Sequence, residues 1–266
     1  MVRSAMRYLG VLFVLAQISG AQAAETPKVV VTIKPIHSLV SRVMEGVGVP
    51  QLVVSGSASP HTFTLKPSTA RAIQDADVFV RVSDQLEPFT RKIVNSLPAN
   101  VTVLTLAGAD GVKLLDQRRG GTFEKHEHGH EVAAAEAVAH SGAADDHDDH
   151  DEDGKDGHIW LDPQNAKAIA SDVAKVLESR YPEHAEKIKA NTASLIADID
   201  ALDGELAAEL TGTKGKPFIV FHDATQYFES HFGQSAAGSI TVSPDVPPSA
   251  KRLTEVRRKL SSLGAV

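Results

Sequence analysis

The stretch Val29-Val30-Val31-Thr32-Ile33 decides the class of fold. Every residue in it is β-branched, and a continuous run of this kind is typical of a parallel strand that is covered on both faces. Pro35 interrupts the run, and apolar residues then recur at helical spacing, which predicts a helix over 36–47. The fold therefore begins with a buried strand that is followed at once by a helix.

The same alternation of strand and helix continues along the chain. Apolar runs predict further strands over 51–54, 78–82 and 101–104, and periodic segments predict helices over 67–73 and 88–97. Strands that alternate with helices at this spacing indicate an α/β fold with a mostly parallel sheet.

A second α/β unit is expected after a long helix. Asp162 and Pro163 provide the cap and first turn of a helix that runs to Arg180. Apolar residues then recur on one helical face from Ile188 to Leu210, which predicts a helix roughly 40 Å long. A helix of that length is better explained as a rigid connection between two lobes than as part of one small domain.

These patterns divide the chain into consecutive segments. We expect a signal peptide at 1–23, an N-terminal α/β lobe at 24–123, a disordered His/Asp-rich loop at 124–156, the remainder of the N-terminal lobe at 157–181, a linking helix at 182–211 and a partial C-terminal α/β lobe at 212–266. The last lobe is expected to be incomplete and prone to aggregation, because two strands and two helices cannot cover their own sheet.

The N-terminus has the pattern of an export signal. Arg3 and Arg7 precede a short apolar run, and Ala21-Gln22-Ala23 matches a small-residue cleavage site. The sequence contains no cysteine, so we expect neither a lipid anchor nor a disulfide. The mature protein is expected in the periplasm, as a monomer.

The segment 124–156 accounts for the acidic balance of the chain. It contains twelve carboxylates and only two lysines, whereas the formal net charge of the whole chain is −7. It also carries six histidines, and tracts of this composition bind metal ions. These histidines are His126, His128, His130, His140, His147 and His150. Outside the segment there is no basic run with interleaved aromatic residues, so nucleic acid is not an expected partner.

Three further histidines are candidates for a more specific site. His61 ends the loop after the second strand, His158 borders the apolar residues 159–161, and His222 follows the strand expected at 217–221. Ligands of open α/β sheets bind beyond the carboxyl ends of the strands. Three imidazoles that converge there would form a zinc-type ligand set, with a fourth position for water or a carboxylate.

Four ordered motifs give the chain a family resemblance. They are V-x-I-K-P-I-H-S-L-V at 31–40, S-x-x-P-H-x-F-x-L-K-P-S at 57–68, H-I-W-L-D-P at 158–163 and F-I-V-F-H-D-A-x-x-Y-F at 218–228. In this order, and with the His/Asp-rich segment before the third, the chain resembles the zinc-specific solute-binding proteins of ABC importers, the ZnuA type.

The resemblance implies two α/β lobes, one long rigid helix and a metal ion in the cleft between the lobes, bound by His61, His158 and His222. Related manganese binders have a carboxylate in place of the third histidine, so His222 implies zinc. Two features depart from the family: Pro60 stands where some zinc members have a glutamate, and members continue beyond the position of Val266. The resemblance therefore also implies that this sequence is truncated at its C-terminus.

The expected function is capture of Zn²⁺ and its delivery to an inner-membrane ABC permease with a cytoplasmic ATPase, and not catalysis. Zinc binding should weaken below about pH 6, as the imidazoles protonate. One alternative is a periplasmic zinc buffer that uses no transporter. Another is a zinc hydrolase, but the sequence has no H-E-x-x-H motif. Asp223 would be its candidate general base, although a cap of the following helix is the simpler role.

Overall fold

The computed structural model describes residues 26–118, 154–241 and 247–263. The expected signal peptide and all six histidines expected in the loop lie outside the described residues. The expected end of the loop at Asp156 is wrong. Lys155 pairs with Asp116 as an isolated antiparallel bridge, and Asp156 is buried. Residues 154–156 are therefore part of the packed structure, because their polar groups have partners there.

A four-stranded parallel sheet organises the first lobe. Its order is β2-β1-β3-β4, and its strands are β1 (Val29–Val31), β2 (Gln51–Leu52), β3 (Val78–Arg81) and β4 (Thr102–Thr105). The associated helices are α1 (Lys34–Val43), α2 (Pro67–Gln74) and α3 (Arg91–Val94). Pro35 lies in the first turn of α1, where its missing N–H costs no hydrogen bond.

Two long helices follow the segment that is not described. α4 (Pro163–Arg180) has Asp162 as its N-cap, with the carboxylate accepting a hydrogen bond from Gln164 N at 2.8 Å. α5 (Ala185–Glu209) has 25 residues and packs on α4 and α1. Short 3-10 turns flank α5 at Pro182–His184 and Leu210–Thr213. The long connecting helix that the sequence predicted is thus present.

The second lobe contains a smaller parallel sheet. It consists of β5 (Phe218–His222) and β6 (Ala236–Thr241), with α6 (Gln226–Phe232) between them and α7 (Ala250–Ser262) after them. His222 is the last residue of β5, and its Cα is paired with that of Thr241. Both sheets are parallel, which confirms the α/β fold expected from the alternating pattern.

The core lies mainly between the first sheet and helices α1, α4 and α5. Tyr227 of α6 belongs to the same cluster of buried residues, so the second lobe contributes one aromatic side chain to the core of the first. Among the residues that the structure describes, no helix has both the length and the apolar content needed to cross a membrane.

Candidate metal centre

The structure brings His61, His158 and His222 together at the junction of the two lobes. Their ring centroids lie 5.6 Å apart for His61 and His158, 5.4 Å for His61 and His222, and 5.2 Å for His158 and His222. One nitrogen from each ring can be chosen so that all three lie within 4.8 Å of one another. The rings are inclined to each other by 53–73°, so they do not stack.

Each histidine reaches this point from a different local structure. His61 follows β2 in a turn-rich loop, where its backbone N–H donates to Ser59 Oγ at 3.3 Å. His158 immediately precedes the 3-10 turn Ile159–Leu161, whose first residue is fully buried. His222 ends β5. The site therefore depends on the folded arrangement of both lobes and not on any local motif.

Asp156 orients His158. The His158 Nδ1 lies 2.7 Å from Asp156 Oδ1, and the His158 backbone N–H donates to the same oxygen at 3.0 Å. An ionised carboxylate can only accept, so Nδ1 carries the proton and Nε2 keeps its lone pair. A carboxylate behind a ligating imidazole in this way is the usual arrangement at zinc sites.

Gly157 allows the segment from Asp156 to His158 to pack closely against Leu86. A Cβ added at Gly157 would lie 2.8 Å from Leu86 Cβ, closer than such atoms come in real structures. Leu86 is itself 2% exposed and cannot easily move away. Gly157 thus lets the segment from Asp156 to His158 lie directly on the loop that follows β3.

A cleft beside the histidines is lined mostly by polar residues. It has a volume of about 410 Å³, is open to solvent, and is lined by His61, His158 and by groups on both lobes. The further polar lining residues are Gln85, Gln117, Arg118, Asp156, Asp223 and Gln226. Most of these groups can hydrogen-bond water, which suits a hydrated ion better than a large apolar ligand.

Arg118 is a site-adjacent residue that the sequence reasoning missed. Its Nε donates to Asp223 Oδ1 at 3.1 Å, and its Nη1 and Nη2 donate to Glu229 at 2.6 and 3.0 Å. Burial alone would raise the pKa of Glu229, but hydrogen bonds from Arg118, Ala236 and Thr225 outweigh it and lower that pKa below its ordinary value. No local pattern connects Arg118 with groups more than 100 residues away.

The role expected for Asp223 as a helix cap is wrong. Thr225 occupies the N-cap position of α6, and the Asp223 carboxylate instead accepts from Arg118. Asp156 was likewise counted with the acidic loop, although it is buried and holds His158. Its spacing of two residues before His158 was the available signal.

The chain is similar to proteins of known role over most of its length. The profile of a family described as "ZnuA: Zinc-uptake complex component A periplasmic" matches residues 29–265. The "High-affinity zinc uptake system protein ZnuA" of Brucella abortus (strain 2308) is 44% identical over 268 residues, which cover 97% of this chain and 80% of that protein. The protein of the same name from Paracoccus denitrificans is 37% identical and covers 91% of this chain and 75% of its own.

A solved structure agrees with these matches. The crystal structure of a Zn(II)-bound mutant variant of AdcAII from Streptococcus pneumoniae superposes with a TM-score of 0.67 at 26% identity, covering 90% of this chain and 79% of that one. The profile match spans the residues of both sheets and of the long helix, and the Brucella relative matches 97% of the chain. The chain belongs to the family of ZnuA, the periplasmic component A of the zinc-uptake complex.

Proposed function

We propose that this protein captures Zn²⁺ in the periplasm and delivers it to the permease of an ABC importer, whose cytoplasmic ATPase drives uptake. The observation that carries the proposal is the convergence of the imidazoles of His61, His158 and His222, with ligand nitrogens within 4.8 Å of one another. We place the ion in the cleft between an N-terminal lobe (24–123 and 157–181) and a C-terminal lobe (212–266), joined by the helix 182–211.

The ligand chemistry supports zinc as the cargo. Zn²⁺ binds imidazole nitrogens at about 2.0–2.1 Å in tetrahedral geometry, which separates the nitrogens by about 3.3 Å. The widest pair of ligand nitrogens must therefore approach by at most about 1.5 Å, a distance that small ring rotations and lobe closure supply. Three nitrogen ligands favour zinc over manganese, which prefers oxygen. The fourth position is left for water or a carboxylate.

Capture explains the site better than catalysis does. A hydrolase would need a free general base beside the metal-bound water. Asp223 is the acidic neighbour of His222 in sequence, but its carboxylate is held by Arg118. The family is a transport family, and its profile is that of a zinc-uptake component.

The His/Asp-rich segment that precedes Gly154 has an accessory role in this proposal. His126, His128, His130, His140, His147 and His150, with the neighbouring carboxylates, raise the local concentration of zinc and pass the ion to the cleft. For transfer to run inward, each of these sites must bind zinc more weakly than the cleft does.

We also infer that the mature protein starts after Ala23, has no lipid anchor and is a monomer. N-terminal sequencing of a periplasmic fraction and sedimentation velocity test these points.

A zinc titration of residues 24–266 tests the proposed site. One variant replaces His61, His158 and His222 by alanine, and a matched variant replaces the six histidines of the segment 124–156. The second variant should keep one tight site that Mn²⁺ does not occupy in competition, and the first should lose it. If the first variant keeps the tight site, the proposed ligands are wrong. If both variants bind only weakly, the protein acts as a zinc buffer through its acidic segment.

A further inference from the structure

The two lobes meet along a line of polar contacts beside the metal centre. From the second lobe, Gln226 Nε2 donates to Asp116 O at 3.0 Å, and Tyr227 Oη donates to Asp156 O at 2.7 Å. Tyr227 Oη also accepts from Leu115 N at 3.0 Å. Arg118 ends the same segment of the first lobe and contacts Asp223 and Glu229 of the second. We call the segment 115–118, with its partners Asp223, Gln226, Tyr227 and Glu229, the interlobe seam.

Arg118 is the only cation among the seam residues that the structure describes, and it is matched to two carboxylates. Its fork reaches Asp223 through Nε and Nη2, and Glu229 through Nη1 and Nη2. Glu229 is 3% exposed and Asp223 9% exposed, so each would be a poorly solvated charge without this partner. A planar guanidinium presents five N–H donors in a fixed fork, so it can bind two carboxylates with paired hydrogen bonds, whereas an ammonium group has three donors on one atom.

Both partners of Arg118 are tied to elements that carry the site. Asp223 directly follows His222 at the end of β5. Glu229 accepts from Ala236 N at 2.8 Å, which fixes it to the start of β6, the strand paired with β5. Tyr227, also in the second lobe, donates a hydrogen bond to the backbone carbonyl of Asp156, whose carboxylate orients His158. The seam thus connects a ligand of the first lobe to a ligand of the second.

We propose that Arg118 is a positioning residue for metal retention: its fork holds the second lobe against the first, and so keeps His222 aimed at the ion that His61 and His158 bind. This inference rests on the proposed function. Its consequence is kinetic, because zinc leaves when the lobes separate. Removing the fork should speed dissociation of zinc and change association much less.

Simple electrostatics predicts the opposite result. Asp156, Asp223 and Glu229 bring three negative charges near the histidines, and Arg118 offsets one of them. Removing that positive charge makes the surroundings more negative and should strengthen attraction for Zn²⁺. Faster dissociation after neutralisation of Arg118 therefore reports lost positioning, since the loss of charge alone would slow it.

The test compares Arg118→Gln, Arg118→Lys and the control Arg42→Gln in the full chain. Arg42 also contacts two carboxylates, Glu45 and Asp198, but its side chain is 43% exposed and lies outside the seam. Zinc-loaded protein is mixed with a chelator in a stopped-flow instrument, and association is measured separately. We expect Arg118→Gln to dissociate about 10- to 100-fold faster, as for other changes behind metal ligands. Arg118→Lys should recover only part of the loss, and Arg42→Gln should match the parent.

A second variant separates positioning from folding. Arg118→Gln leaves Glu229 buried without its cation and lowers the unfolding temperature of the metal-free protein. The double variant Arg118→Gln with Glu229→Gln removes both charges and should regain part of that temperature, yet it should still release zinc quickly. Dissociation at the parent rate in either variant would overturn the inference and leave the proposed function intact. Failure of the parent to hold zinc would overturn both.

Discussion

We expect Asp156 to act on zinc binding through His158, which it holds by a 2.7 Å contact to Nδ1. An amide in its place can still accept from the ring, but it lacks the charge that makes the opposite nitrogen a stronger ligand. We predict that Asp156→Asn weakens zinc affinity about 10- to 100-fold in a competitive chelator titration. Asp110→Asn is the matched control, because Asp110 is an exposed carboxylate whose side chain pairs with Lys175. Equal affinities of the two variants would contradict the role of Asp156.

A substitution at Gly157 tests whether the close packing behind His158 is needed for zinc binding. In Gly157→Ala the new Cβ would lie 2.8 Å from Leu86 Cβ, so the backbone between Asp156 and His158 must shift. We expect weaker zinc binding at a stoichiometry that is unchanged. Adding Leu86→Gly should recover part of the affinity, since it removes the Leu86 Cβ that the new methyl group meets at 2.8 Å. Gly108→Ala, with nothing within 4 Å of its added Cβ, should bind zinc like the parent.

At the scale of elements, the helix α5 is packed over only part of its length. Ile188, Leu195 and Ile199 are buried against α1 and α4, but no residue of the helix after Ile199 is buried, and Leu202 is 51% exposed. The sequence predicted a helix with apolar residues recurring on one face to Leu210; the helix is present to Glu209, but its apolar face is buried only in the first half. The spacing of leucines predicts a helix, but it does not reveal where the partner helices end.

Two substitutions on α5 measure this asymmetry. Ile188 is fully buried, so Ile188→Ala should lower the free energy of unfolding by about 2–5 kcal/mol. Leu202→Ala should change it by less than about 0.5 kcal/mol, because the side chain is half exposed in the folded state. Urea unfolding of the metal-free protein gives both values. Similar losses for the two variants would mean that the second half of α5 is packed in solution.

The strands, the helices and the three candidate ligands could be predicted because each leaves a local pattern. β-branched runs mark the strands, Asp162 and Pro163 mark the start of α4, and His222 follows its strand directly. The interlobe seam leaves no such pattern. Arg118 and Glu229 are separated by 111 residues, and nothing near either of them specifies the other. Asp223 stands where a helix cap is common, so its true partner could be identified only from the folded structure.

For the whole molecule, two buried glutamates make stability depend on pH in opposite directions. Glu229 has a lowered pKa, so it stabilises the fold above the ordinary carboxyl pKa, and that contribution is lost as the pH falls below it. Glu87 is fully buried where the loop after β3 meets β1, and it accepts hydrogen bonds from Val82 N, Ser83 N and Thr32 Oγ1. Burial raises the pKa of Glu87 from 4.5 to about 7, against the opposing effect of these hydrogen bonds.

The raised pKa of Glu87 predicts a loss of stability as the pH rises. Between pH 4.5 and about 7 the folded protein keeps a proton that the unfolded chain releases, so the free energy of unfolding falls through this window. Glu87→Gln removes the titration, and its amide can still accept from the backbone and donate to Thr32 Oγ1. The variant should therefore be more stable than the parent at pH 8, by up to about 3 kcal/mol, and equal to it near pH 4.5. Urea unfolding with a chelator present measures both differences. As a control, Glu45→Gln changes an exposed carboxylate, and its free energy of unfolding should differ from that of the parent by less than about 0.5 kcal/mol at either pH. If Glu87→Gln also differed so little from the parent, Glu87 would not hold its proton in the folded state.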